Sequence, residues 1–158
     1  MPTRYFRAGV GTVIYNDQRQ IAIFKRSQPP IGFWELQQGG IDLGEVPEDT
    51  LWRELHEEVG IVRDDIEHSE KMPGWTIYQT NSSHTDVDQP ILGQGHCWFF
   101  LKLKPGRTID LEKSLEDAAS EFRWTSFQEL ISFTGEHKKH VYETLSLYFE
   151  NMQKKNPR

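Results

Sequence analysis

One cysteine, Cys97, stands among the 158 residues, so no disulfide can form within the chain. No apolar run approaches the roughly 20 residues that span a bilayer, and the opening MPTRYFRAGVG lacks the apolar stretch of a secretory signal. An integral membrane role is excluded on this reading, and a reducing cytoplasm is the expected compartment. Positive charge is scarce as well. Eighteen Lys and Arg face 24 Asp and Glu, for a formal charge of −6. Tracking a long nucleic-acid backbone requires many cationic contacts, which this balance does not offer. Gripping one phosphorylated end is a different matter, because bound metal with a few nearby cations can neutralise a polyphosphate. Internal repeats and low-complexity segments are absent too. What remains, 36% hydrophobic residues with five Trp, suits one core and a single domain over residues 1–158, with QKKNPR at 153–158 expected to fray.

The most informative stretch is GGIDLGEVPEDTLWRELHEEVGI, residues 39–61. Pro47 fits the first turn of a helix, and Glu45, Glu48 and Asp49 put negative charge at the positive end of its dipole. At 100° per residue Glu54, Glu57 and Glu58 share one arc, whereas Trp52, Leu55 and Val59 lie opposite and can face a core. Like charges three or four apart cost a helix roughly 0.2–0.5 kcal/mol per pair, so an enclosed acid face needs a counter-ion. A hard cation such as Mg²⁺, shared between carboxylates and substrate phosphates, meets that need. Arg53 can hold one carboxylate in a bidentate fork and set its direction. A merely solvated acid face would explain neither Gly39 and Gly40 before the helix nor Gly60 after it. Gly39, Gly40 and Gly44 permit a tight loop and close backbone approach to a metal or phosphate.

The residues Gly39, Glu45, Arg53, Glu54, Glu57, Glu58 and Gly60 stand at the spacing G-x5-E-x7-R-E-U-x-E-E-x-G-U, with Leu55 and Ile61 at the apolar positions U. A random start position would match on the order of once in 10⁸. The stretch resembles the Nudix hydrolase family, and further matches along the chain are similar to the bacterial RNA pyrophosphohydrolases within it. The resemblance implies an α/β fold, the α/β/α sandwich built on a mixed sheet. It also implies Mg²⁺, with Mn²⁺ able to substitute, held by Glu54, Glu57, Glu58 and the carbonyl of Gln38. Glu54, Glu57 and Arg53 are then catalytic, and the segment Ser120-Glu121-Phe122 brings Glu121 to the metal from outside the box as a further ligand or the base. Arg7 in FRAGVG and Arg26 in KRS are similar to arginines that face a triphosphate. WELQQGG keeps the Trp, Gln and glycines of the family's W-x-F-P-Q-G-G but has Leu36-Gln37 in place of Phe-Pro.

Elsewhere the pattern is of strands and turns. Residues 6–15 and 21–26 read as a hairpin across the turn at 16–20, and Gly74 to Thr80 restarts a strand after the polar residues 65–70. Trp75 and Tyr78 are either core residues or the wall of a nucleotide pocket; the resemblance favours a wall for Tyr78. Residues 81–93 form a surface loop, the apolar run Cys97 to Leu101 a buried strand, and Cys97 and His96 core positions. Residues 136–152 make an amphipathic helix with Val141, Leu145, Tyr148, Phe149 and Met152 on one stripe. Lys138 and Lys139 at its start gain nothing from the helix dipole, which leaves solvent or a phosphate as their partner.

Two functions of different kinds remain. The first is a metal-dependent pyrophosphohydrolase that releases pyrophosphate from the 5′-triphosphate end of RNA, or else cleaves dinucleoside polyphosphates or free nucleoside triphosphates. The second is a non-catalytic module that binds a nucleotide or a protein, whose expected mark, the loss of one box glutamate, is missing. The oligomeric state, monomer or homodimer, stays open.

Overall fold

A β-branched and aromatic run makes β1 (Tyr5–Tyr15), and Asn16 turns the chain into β2 (Ile21–Arg26). The Asn16 Oδ1 accepts the N–H groups of Gln18 and Gln20, both at 3.0 Å, while Arg19 takes a left-handed φ of 62°. The hairpin is held only where Tyr15 meets Ile21; beyond that pair the two strands splay. Two short strands fill the gap: β3 (Trp34–Glu35) against β2, and β4 (Gln37–Gly40) against β1. The computed structural model describes residues 3–80 and 90–155.

After β4 come the helix α1 (Pro47–Val59), β5 (Ile66–Lys71), β6 (Thr76–Gln79), β7 (Ile91–Leu103), β8 (Ala119–Thr125), α2 (Phe127–Ser132) and α3 (Glu136–Lys155). β1 and β7 run parallel over most of their length; the other pairings are antiparallel, giving a mixed sheet with β8 on β2, and β5 and β6 on β7. Its two faces carry separate cores. Val13, Ile23, Trp98 and Phe100 pack with Leu130 and with Val141, Leu145, Phe149 and Met152 of α3 on one face. Val10, Ile14, Phe24 and Phe99 pack with Leu51, Leu55 and Val59 of α1 on the other. Burial of each large side chain contributes about 1.5–3 kcal/mol, so helices on both faces are needed to cover the sheet. This is the α/β/α sandwich expected from the sequence.

Three local expectations change. The polar segment IEHSEK is a strand, β5, because β7 offers it a free edge. β7 begins at Ile91, inside the stretch read as a loop; of that loop, residues 81–89 lie outside the described residues. The helix α3 runs through Lys155 rather than fraying from residue 153, since Met152, 6% exposed, still anchors its last turns.

Candidate active site

Helix α1 starts with Pro47 and acidic residues in its first turn, and ends at Gly60, whose φ of 72° is the left-handed cap conformation that glycine adopts without strain. Its acid face lies against β4. A side chain on Gly39 would place Cβ 2.3–2.5 Å from the carboxyl end of Glu54, so the glycine is the seat for that carboxylate. Gly39 and Gly40 therefore belong to a strand, not to a tight loop, and the space above them is filled by the protein's own side chains. Over Gly40 lies the Arg7 guanidinium, whose Nη2 would stand 3.1 Å from a Cβ.

Arg53 organises the acids. Its Nε and Nη2 donate to the two carboxylate oxygens of Glu45 at 2.7 and 2.8 Å, so the bidentate fork grips Glu45 rather than a metal-facing acid. Its Nη1 donates to Glu54 at 2.9 Å and Glu57 at 3.1 Å, and Nη2 also reaches the Gly40 carbonyl at 3.1 Å. Glu45 further accepts from the Asp42 N–H and the Thr50 hydroxyl, both at 2.9 Å, and so ties the loop before α1 to the helix. The Arg53 fork holds the Glu45 carboxyl down at about 2, well below the usual carboxylate range.

Glu58 lies deeper. Burial pushes its carboxyl up to about 8; the hydrogen bond from Gln37 opposes this, while the charges of Glu54 and Glu116 and a shared hydrogen bond with Glu54 add to it. Glu54 is raised for the same leading reason. Gln37 is fixed in turn, accepting from the Thr12 hydroxyl at 2.9 Å and donating to Glu58 at 3.0 Å. Two neighbouring acids that burial makes harder to ionise, seated on glycine with hard oxygen donors, fit a divalent cation whose charge would offset theirs. Among the described residues no three such side chains form a ready-made cage.

A cavity of about 320 Å³ opens beside Glu58, lined by Arg26, Glu35, Gln37, Gln38, Glu58 and Glu116 among others. Arg26 Nη1 donates to Glu35 at 2.9 Å, and Lys138 Nζ lies 3.6 Å from the other oxygen of Glu35. The structure thus brings Gln38, Arg26 and Lys138 together with the box acids. Lys138 turns inward, neither to solvent nor along the helix surface, whereas Lys139 stays outside and pairs with Glu136 at 2.7 Å.

Two expected positions are corrected. Tyr78 is 7% exposed, with His96 stacked on its ring at 6.0 Å and Lys138 Nζ 4.9 Å from its centroid, so it is a core residue with no free face for a base. Glu121 stands opposite Lys25 in the β2–β8 pairing, 4.0 Å from its Nζ, with its side chain 58% exposed. Its neighbour Phe122 packs toward the α1 core, so strand alternation turns Glu121 to the other face, away from the box acids. The acid that does approach from outside the box is Glu116. The N–H groups of Leu115 and Glu116 donate to the Glu57 carbonyl at 2.9 and 2.8 Å, capping the last turn of α1. Neither Glu116 nor Glu35 carried a motif signal, because each reaches the site only through tertiary packing. Cys97 and His96 are buried core residues, as expected, and burial holds the His96 ring down at about 4, neutral at pH 7.

A helix presenting three acids against a glycine strand, beside a cavity lined by Arg26, suits a hydrolase of phosphoric anhydrides that works with a divalent metal. The NUDIX domain family matches residues 5–145. RNA pyrophosphohydrolases from Francisella tularensis subsp. mediasiatica and Pseudoalteromonas translucida are each 34% identical over 147 residues, which cover 92% and 91% of this chain and 94% and 84% of theirs. In fold the chain is similar to the E. coli dihydroneopterin triphosphate pyrophosphohydrolase, with a TM-score of 0.70 at 18% identity over 93% of this chain and 99% of that one. A C. elegans Ap4A hydrolase gives 0.67 at 16% identity over 92% and 98%. The chain belongs to the Nudix hydrolase family. Every box carboxylate is kept and clustered, so it is an enzyme of that family rather than a module that has kept only the fold.

Proposed function

We propose that this enzyme removes pyrophosphate from the 5′-triphosphate end of RNA and leaves a 5′-monophosphate. The observation that carries the reading is the junction of the acid face of α1 with the Arg26–Lys138 cleft. It is supported by the likeness to RNA pyrophosphohydrolases along more than nine-tenths of the chain. Glu54, Glu57, Glu58 and the Gln38 carbonyl would hold Mg²⁺, or Mn²⁺ in its place. When bound, the ion neutralises phosphate charge and acidifies the attacking water. Arg53 keeps Glu54 and Glu57 aimed at the ion. Arg7, Arg26 and Lys138 grip the phosphates, and the backbone at Gly39 and Gly40 lies alongside them. Glu57, on the acid face of α1, takes the proton from the attacking water.

With Tyr78 covered, base stacking passes to Phe33. It is 60% exposed, and its backbone carbonyl accepts the backbone N–H of Arg26 at 2.9 Å, so Phe33 lies beside Arg26 in the chain pairing. Stacking on an aromatic contributes about 1–3 kcal/mol per base. Phe33→Ala should therefore raise KM for triphosphorylated RNA by roughly 5- to 100-fold with kcat little changed. An unchanged KM removes Phe33 from the base site.

Product analysis tests the function. Triphosphorylated RNA incubated with enzyme and Mg²⁺ should yield pyrophosphate and 5′-monophosphate RNA in equal amounts. Stepwise release of orthophosphate, or an intact 5′ end, would refute the reading.

A further inference from the structure

Glu35 sits where a phosphate would. One of its oxygens accepts from Arg26 Nη1 at 2.9 Å, and the other faces Lys138 Nζ at 3.6 Å and Gln38 Nε2 at 3.5 Å. Its side chain is only 17% exposed, so this is an enclosed site rather than a surface ion pair. Two cations and an amide N–H converging on a carboxylate make the donor pattern that recognises a phosphate oxygen.

Each cation has a partner besides Glu35. Arg26 is anchored separately, with Nε donating to the Gln28 carbonyl at 3.3 Å and Nη2 to the Pro29 carbonyl at 2.9 Å. Lys138 rests over the Tyr78 ring at 4.9 Å, its side chain 18% exposed. Removing Glu35 would leave Arg26 in position and take one negative charge from the cleft. The carboxylate therefore contributes competition, not placement.

We propose that Glu35 is an internal anion. It occupies Arg26 and Lys138 in the empty enzyme, is displaced by the polyphosphate of an incoming substrate, and returns as pyrophosphate leaves. The exchange favours ligands with several adjacent negative charges over a lone monophosphate, and so discriminates between the triphosphate end and its own monophosphate product. It also keeps pyrophosphate from lingering. This inference rests on the reading of Arg26 and Lys138 as the phosphate grip.

The test is calorimetric titration of inorganic pyrophosphate, with Mg²⁺ present, into the protein and the variants Glu35→Gln, Glu35→Asp, Arg26→Ala and Lys138→Ala. Pyrophosphate inhibition and KM are measured alongside. Glu35→Gln should bind pyrophosphate about tenfold more tightly, lower KM by a similar factor and strengthen product inhibition, because one carboxylate charge close to two cations is gone. Glu35→Asp, which keeps the charge, should stay near wild type. Arg26→Ala and Lys138→Ala should each weaken binding about tenfold. If these two variants weaken binding while Glu35→Gln leaves it unchanged or weakens it, the internal-anion role is overturned and the phosphate grip stands. If Arg26→Ala and Lys138→Ala both bind as wild type does, the phosphate grip itself is wrong.

Discussion

Arg53 touches the carboxylates of Glu45, Glu54 and Glu57 and the carbonyl of Gly40, so a single guanidinium joins the loop before the helix to the acid face that follows. At this scale the metal-site assignment can be tested one charge at a time. Glu57→Gln and Glu58→Gln should each lower kcat by at least about 10³-fold, since each removes a ligand charge from the metal site. Neither should lower the thermal midpoint of the metal-free protein at pH 7, because Glu57→Gln relieves like-charge repulsion on the acid face and Glu58→Gln replaces a carboxyl that burial already holds neutral. Activity within a few-fold of wild type in either variant contradicts the assignment. Acidity adds a second check. Glu58 is raised to about 8, so its neutral form stabilises the native state below the ordinary carboxylate range, and that contribution is lost as pH rises toward about 8. Glu45, held down at about 2, works the other way: its contribution is present above the ordinary range and lost as pH falls toward about 2. The metal-free protein should therefore melt at a lower temperature at pH 9 than at pH 6, and Glu58→Gln should flatten that difference. A wild-type midpoint that rises with pH over this window would contradict the burial of Glu58.

Between elements, the contact that matters is α1 on β4. Gly39→Ala would drive a methyl into the Glu54 carboxyl group, and displacement of a catalytic group by about 1 Å costs on the order of 10²-fold in rate. Near-normal kcat in Gly39→Ala would mean that the Glu54 seat is unimportant. The two acids from the segment after β7 separate by readout. Glu116→Gln should weaken Mn²⁺ binding by the protein alone, because its charge reaches Glu58, whereas Glu121→Ala, on the other face, should leave both that binding and kcat within a few-fold of wild type. A loss of kcat above about a hundredfold in Glu121→Ala would bring Glu121 back to the site as the base in place of Glu57. Helix α1, its capping glycine and its two faces were legible in the sequence because a 3.6-residue period and fixed spacing are local facts. β5 was not, since IEHSEK has little apolar alternation and pairs only because β7 is beside it. Glu35 and Glu116 were silent for the same reason: their partners are fixed by the splay of β1 from β2 and by the docking of residues 115 and 116 on α1. Tyr78 failed differently. An aromatic in a strand can line a pocket or fill a core, and only the packing of α3, with Lys138 turned inward, decides for the core.

For the molecule as a whole, a formal charge of −6 with Arg7, Arg26 and Lys138 as the proposed phosphate contacts suits an enzyme that recognises an end rather than a strand. Each phosphate neutralised on single-stranded nucleic acid contributes about −0.7 to the slope of log affinity against log salt, so three contacts give a slope of about −2. A slope several times steeper would point to backbone tracking. The sandwich also leaves the cleft open to other anhydrides, and diadenosine pentaphosphate and free nucleoside triphosphates carry the same reacting bond. The most direct measurement is therefore kcat/KM with Mg²⁺ for a short triphosphorylated RNA, diadenosine pentaphosphate and a nucleoside triphosphate, taken side by side on one preparation. The RNA should be the best of the three, with pyrophosphate as the released product. A value for diadenosine pentaphosphate at least ten times that for the RNA would contradict the RNA assignment and leave only the Nudix chemistry standing.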